Sequence, residues 1–113
     1  MYYRVRARFR EETAGEFQRI LRDGTIAAQQ PDGREIVDSM GRAIVQDDGS
    51  IEWSSVCYCE PPLRHERSTV YDRFFDGLTT EAVDGYQPHD GRPFLEHLDR
   101  LAAAQVQARK PAP

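Results

Sequence analysis

An alternation of apolar and basic residues near the start of the chain limits its fold more than any other feature. In residues 3–10 ("YRVRARFR"), Tyr, Val, Ala and Phe occupy the odd positions and arginine occupies every even one. Because successive side chains of a β-strand point to opposite faces, the pattern predicts a strand over residues 2–10. Such a strand needs a sheet with one face on a core and an arginine face on the other side.

The rest of the chain switches between helical and extended patterns. The predicted elements are a helix from Thr13 to Leu21 with an open continuation to Ala28, strands over 35–46 and 51–60, a helix over 62–76, a short strand over 80–86 and a last helix over 92–106. A chain of 113 residues suffices for one domain with one core. We therefore expect a single α+β domain over 1–106 and a mobile tail over 107–113, which has little to bury.

Two local signals refine these elements. Thr13 and Glu16 have the spacing of a capping box, which predicts that the first helix begins at Thr13. The sequence "DDGS" predicts a hairpin with a two-residue turn, which pairs Ile44 with Trp53 on the core face. On the opposite face, with the arginines, this register places Val37, Ala43 and Val45.

The order of the elements is β-α-β-β-α-β with an additional C-terminal helix. It resembles the ferredoxin-like split βαβ fold, which implies that strand one lies between strands three and four and that both main helices cover one face. The apolar residues among the arginines predict that something covers part of that face. Either the C-terminal helix or a second subunit can do so. The second arrangement, a homodimer, is similar to the dimeric α+β barrels, which enclose a small-molecule cavity.

The arginine face allows three interpretations. The arginines can pair with acidic neighbours such as Glu52 on strand three, or Arg4, Arg6 and Arg8 can bind a small anionic ligand, since guanidinium groups match carboxylates and phosphates. Tyr58 shares the face and joins them in the predicted ligand site. RNA binding is the third interpretation, but the net charge of −4 and the few aromatic residues make nucleic acid an unexpected partner.

The cysteines and histidines predict a reactive group more readily than a metal site. Cys57 is expected in the core, whereas Cys59 ends a strand before a helix N-terminus that favours a thiolate, with His65 as its possible base. Cys59 and His65 therefore complete the predicted site. A metal would need Cys57, Cys59 and His65 with His89 or His97, but a C-x-C pair lacks the C-x-x-C spacing of structural zinc sites. No metal or cofactor is predicted.

The chain shows no signal for a membrane or for secretion. Its apolar runs are too short to cross a bilayer, and its start has no secretory pattern, so we expect a cytoplasmic protein with reduced thiols. The predicted function is a binding or accessory role for a small homodimer, with no assigned chemistry. The alternative is a small-molecule enzyme of the dimeric α+β barrel type that acts on an anionic substrate.

Overall fold

In the computed structural model, which describes residues 1–88 and 90–109, five strands form one antiparallel sheet flanked by four helices. The strands are β1 (Tyr2–Phe9), β2 (Ile44–Val45), β3 (Ile51–Val56), β4 (Phe75–Val83) and β5 (Arg92–Pro93). The helices are α1 (Ala14–Arg22), α2 (Gly33–Arg42), α3, composed of Arg64–Glu66, the π-helical Arg67–Tyr71 and Asp72–Phe74, and α4 (Phe94–Arg109). The predicted α+β class with an antiparallel sheet is confirmed. His89 and residues 110–113 of the predicted tail lie outside the described residues.

The first strand forms as predicted and lies inside the sheet. The strand order is β4-β1-β3-β2-β5, and β1 pairs antiparallel with both β3 and β4. Val5 is fully buried against the helices, whereas Arg6 and Arg8 on the opposite face are exposed. The alternation of the sequence therefore separates a core face from an arginine face.

The core lies between the sheet and the helices. The first and last helices each turn apolar residues toward the sheet, since α1 buries Phe17 and α4 buries Phe94 and Leu98. The rings of Phe17 and Phe74 stack with centroids 4.5 Å apart, so aromatic packing joins α1 to α3. Trp53 and Cys57 are buried on the same side, as predicted, and Phe9 packs against this core.

The predicted strand over 35–46 is wrong for most of its length, because Gly33–Arg42 is a helix. Ile36 and Met40 are both fully buried and lie four residues apart, which is the period of a helix and not of a strand. The adjacent β-branched pair Ile36-Val37 resembles strand sequence, and tertiary packing overrides that preference. Val37 consequently lies on a helix and not on the arginine face.

Side chains of α2 take the place of a strand beside the second half of β3. The carboxylate of Glu35 accepts the backbone N–H of Val56 at 3.0 Å, and Arg42 donates to the carbonyl of Ser54 at 3.1 Å. These bonds satisfy backbone groups that the short β2 leaves without a strand partner. The first part of the predicted second strand, residues 35–42, is therefore a helix that contacts the edge of β3.

The hairpin register also differs from the prediction. Val45, not the residue after it, pairs with Ile51, because the turn contains three residues (47–49), the last of which, Gly49, has a φ of +86°. A shift of one residue moves every side chain of a strand to the other face. Val45 therefore packs in the core, and Ile44 shares the face of the arginines, the reverse of the prediction.

The predicted capping box does not form. The hydroxyl of Thr13 donates to the carbonyl of Arg10 at 2.6 Å, and the carboxylate of Glu16 accepts a hydrogen bond from Arg73 at 2.7 Å. A short 3-10 turn (Glu11–Thr13) leads into α1 instead. The helix does not continue to residue 28, since the chain leaves it just before Gly24, whose φ is +89°.

Other element boundaries move by several residues. The predicted helix over 62–76 is shorter, and β4 begins at Phe75, five residues before the strand predicted over 80–86. β3 ends at Val56, so residues 57–60 are not in a strand. The last helix extends to Arg109, past the predicted domain end at 106. No helix within the described residues is both long and apolar enough to span a bilayer.

The chain between β4 and β5, residues 84–88 and 90–91, crosses the arginine face, and we call it the crossover segment. It joins opposite edges of the sheet, and on its way the backbone N–H of Gln87 donates to Ser54 Oγ at 3.0 Å. Ser54 is consequently only 1% exposed although it lies on the arginine face. The predicted cover is thus supplied by a loop.

The C-terminal helix lies on the other side of the sheet, so it is not the cover of the arginine face, which was one of the two alternatives left open by the sequence. Its Asp99 accepts hydrogen bonds from Gln18 and Arg22 of α1, at 2.8 Å from each. The helix packs there because its apolar stripe must face the core. Cover by a second subunit stays a prediction.

Candidate functional site

The structure separates the predicted site residues into two regions. Arg4, Arg6 and Arg8 lie on the arginine face, whereas Tyr58 and Cys59 line a pocket beyond the end of β3, and His65 lies beside that pocket at the start of α3. The predicted site is therefore not one site. Each region has its own chemistry.

The arginines of the arginine face are paired with acids of the same chain. Glu52, only 7% exposed, lies 4.0 Å from Arg4 Nε and 3.5 Å from Arg6 Nη2. Arg4 also lies 3.6 Å from a carboxylate oxygen of Glu81 on β4. The predicted pairing with acidic neighbours is confirmed for Glu52.

A groove of about 290 Å³ follows these pairs along the sheet. Arg4 and Arg6 line it together with Thr79 and Thr80 of β4. Arg8 is not part of the groove, since it donates a hydrogen bond to the carbonyl of Asp48 at 3.0 Å, in the hairpin turn. The three arginines therefore do not converge on one ligand position.

The second region is a pocket of about 410 Å³ where β3 ends. The chain leaves the sheet there, so that the thiols of two cysteines turn toward α3, and the N–H of Cys59 donates to the sulfur of Cys57 at 3.1 Å. The apolar walls include Val56 and Tyr58, whose side chain is 87% exposed. The polar lining is Asp32, Glu35, Cys57, Cys59 and Glu66.

A buried carboxyl group joins the two thiols. Glu66 is 2% exposed, and its Oε1 lies 3.8 Å from the sulfur of Cys57 and 3.8 Å from that of Cys59. Burial raises the pKa of Glu66, and the neighbouring Asp32 raises it further. Burial also raises the pKa of Cys57 to about 11. Burial therefore favours the protonated forms of Glu66 and Cys57 more than in an exposed carboxyl group or thiol.

A carboxylate–imidazole pair adjoins the thiols. His65 Nδ1 lies 2.6 Å from Oδ2 of Asp32, the residue immediately before α2. Burial on its own raises the pKa of Asp32, but hydrogen bonds with His65, Glu66 and Gln29 outweigh it, so the net pKa is lowered. Asp32 is therefore ionised beside a carboxyl group that favours its proton.

Five potential metal ligands meet in this region. In one set the ligand atoms of Cys57, Cys59 and Glu66 lie within 4.8 Å of one another, and in a second set those of Asp32, His65 and Glu66 do so. The sequence analysis predicted no metal site because a C-x-C pair lacks the C-x-x-C spacing of structural zinc sites. In the structure the two cysteines follow β3, and their sulfur atoms lie near a buried carboxyl group. His97 is elsewhere, 3.7 Å from Glu11.

Asp32 and Glu66 are the site residues that the sequence analysis missed. Glu66 had a usable signal, because Leu63, Glu66 and Val70 occupy one stripe of a helix, which places a carboxyl group on its buried side. Asp32 resembles an ordinary turn residue before Gly33, and no local pattern brings it to the cysteines. Only the packing of α2 against β3 does so.

Comparisons of the chain with known protein families, with curated proteins and with solved structures found no match. The functional conclusion therefore depends on the chemistry and geometry of the pocket.

Proposed function

We propose that the protein binds a thiophilic divalent metal ion of the Zn²⁺ class in the pocket between β3, α2 and α3. The observation that carries this proposal is the spacing of two thiols about a buried carboxyl group. In a tetrahedral zinc site, bonds of about 2.3 Å to sulfur and 2.1 Å to oxygen put neighbouring ligand atoms about 3.6 Å apart. Both distances from Glu66 Oε1 to a cysteine sulfur are 3.8 Å.

The residues also fit the charge and the hardness of this class of ion. Cysteine thiolates select Zn²⁺ over Mg²⁺ and Ca²⁺, which prefer oxygen ligands. A divalent cation compensates two thiolates, and it removes the conflict between the adjacent carboxyl groups of Asp32 and Glu66. Asp32 and His65 adjoin this ligand set, because both belong to the second set, which shares Glu66.

Zinc binding by the reduced full-length chain tests the proposal. Zn²⁺ is titrated in competition with a chromophoric chelator, and Co²⁺ replaces it to report thiolate ligands through a charge-transfer band. Cys59→Ser and Glu66→Gln should each weaken binding at least about 100-fold, since even residues that support a ligand contribute about 10–100-fold.

Glu96→Gln on the exposed side of α4 is the matched control and should bind like the wild type. Circular dichroism establishes that each variant is folded. A wild-type chain that takes up no Zn²⁺, or a Co²⁺ complex without a thiolate band, would contradict the proposal.

We further propose a ferredoxin-like arrangement for the sheet. Its support is the position of β1 between β3 and β4, with β2 beyond β3. β5 and α2 are departures from that pattern, one an additional edge strand and the other a helix within the predicted second strand. An experimental structure and its comparison with folds of this class would test the assignment.

The second candidate function is binding or turnover of a small anionic substrate by a cytoplasmic homodimer. It is favoured by the groove along Arg4 and Arg6, in which the side chain of Arg6 is 52% exposed. Light scattering at two concentrations tests the dimer. Thermal shifts with phosphate and acetate, lost in Arg6→Ala, test the groove.

A further inference from the structure

The proposed metal ligands lie along the wall of the pocket, so one side of the ion faces protein and the other side faces the cavity. Four candidate ligands, Asp32, Cys57, Cys59 and Glu66, line the same cavity of about 410 Å³. An ion held by Cys57, Cys59 and Glu66 therefore borders the open cavity. Structural zinc sites are closed by four protein ligands, whereas catalytic sites use three and keep one position open.

The ligand geometry favours three protein ligands over four. Cys57, Cys59 and Glu66 form one set of mutually close ligand atoms, and the second set shares only Glu66 with it. His65 is already held by Asp32, with 2.6 Å between Nδ1 and Oδ2. A carboxylate–imidazole pair in this place can orient Glu66 or a bound molecule without binding the ion itself.

The remaining walls define which molecules fit. Val56 and Tyr58 are apolar or aromatic, and the ring of Tyr58 stands almost free in solvent beside the cavity. Glu35 also lines the cavity, but its carboxylate is held by Val56 N–H and by Arg42, at 3.3 Å from Arg42 Nη2. A volume of about 410 Å³ lies in the range of small-molecule sites.

We infer that the bound ion keeps an open coordination position that faces this cavity. It takes a small molecule with one nitrogen, oxygen or sulfur donor and an aromatic or aliphatic body. This inference rests on the proposed metal binding. It assigns the pocket a ligand class that the metal site alone does not require.

The test uses the reduced full-length chain loaded with Co²⁺ and titrated with imidazole and with phenylimidazole. Each should shift the visible ligand-field bands of the cobalt while the thiolate charge-transfer band remains. Phenylimidazole should bind about tenfold more tightly than imidazole, because the additional ring is buried against the apolar walls. Tyr58→Ala should reduce this preference to about threefold or less.

Val106→Ala, an exposed position on α4, is the control and should keep the full preference. A cobalt complex whose bands do not respond to either probe would overturn the open position while leaving metal binding intact. Equal affinities for the two probes would overturn the apolar ligand class. A chain that binds no Co²⁺ would overturn the proposed function and this inference with it.

Discussion

The arginine face and the thiol pocket show two opposite ways in which charged groups are accommodated. On the arginine face, Glu52 and Glu81 neutralise Arg4 and Arg6 within a half-solvated surface. In the pocket, Glu66 is almost fully buried beside another acid and two thiols. The charges of the arginine face are numerous, but opposite charges of the same chain compensate them. The pocket has fewer charged groups, and two of its acids lie close together. Local compensation, more than the number of charges, distinguishes a candidate site.

The largest expected effect is stabilisation by zinc. At a hundred times its dissociation constant, Zn²⁺ should raise the free energy of unfolding by about 2.7 kcal/mol. The increase should disappear in Cys59→Ser and persist in Arg6→Ala, because only the former touches the pocket. Urea unfolding with and without Zn²⁺, under reducing conditions, measures both. Equal losses in the two variants would abolish the distinction between the regions.

The acids of the arginine face should differ from each other. Glu52→Ala should lower the free energy of unfolding by about 1–3 kcal/mol, because it removes the buried carboxylate that Arg4, Arg6 and Gln46 share. Gln46 Nε2 lies 2.7 Å from that carboxylate. Glu81→Ala, whose side chain is 67% exposed, should cost no more than about 0.5 kcal/mol. Urea unfolding of the matched pair checks this. Similar costs would mean that burial does not set the strength of these pairs.

In the pocket, removal of a charge should stabilise the metal-free protein. Burial raises the pKa of Glu66, so its ionised form opposes folding at neutral pH. Glu66→Gln should therefore add about 0.5–2 kcal/mol of stability in the presence of a chelator. Glu35→Gln is the contrasting variant and should destabilise, since Glu35 accepts from Val56 N–H and Arg42. Thermal unfolding compares them, and a destabilised Glu66→Gln would contradict the account.

The smallest effect concerns the pair of Arg10 and Asp76. The hydrogen bond from Arg10, 2.7 Å long, lowers the pKa of Asp76 below its ordinary value. A lowered pKa contributes stability that is present above the ordinary pKa, about 3.9 for aspartate, and is lost as pH falls through the folded value. Asp76→Asn should lower the Tm slightly at neutral pH and not in acid. A difference that persists in acid would exclude this linkage.

The sequence predicted the parts of the molecule that depend on local periodicity. The separation of Val5 from Arg6 and the burial of Trp53 both follow from which residues recur at a spacing of two. The pairing of Arg6 with Glu52 follows once β1 and β3 are neighbours. Apart from that pairing, these features needed no knowledge of distant contacts.

The errors arose where tertiary contacts decide the outcome. Residues 35–42 contain a strand-like Ile36-Val37 pair, but the fully buried Met40 fixes a helix once α2 packs beside β3. The turn of three residues instead of two then reversed the faces of β2. The pocket depends on the same packing, because Asp32, immediately before α2, lies beside Glu66 only when α2 packs against β3.

The crossover segment sets the order in which parts of the molecule should detach under a pulling force. After passing over one side of the sheet it enters β5, and α4 then returns to the other side, where Phe94 N–H donates to Ala43 O at 2.9 Å. Residues 84–88 and 90–109 thus pass over both sides of the sheet at the edge that contains β2 and β5. A pulling force on the C-terminus would peel away α4 and then β5 before any tension reached the central strands.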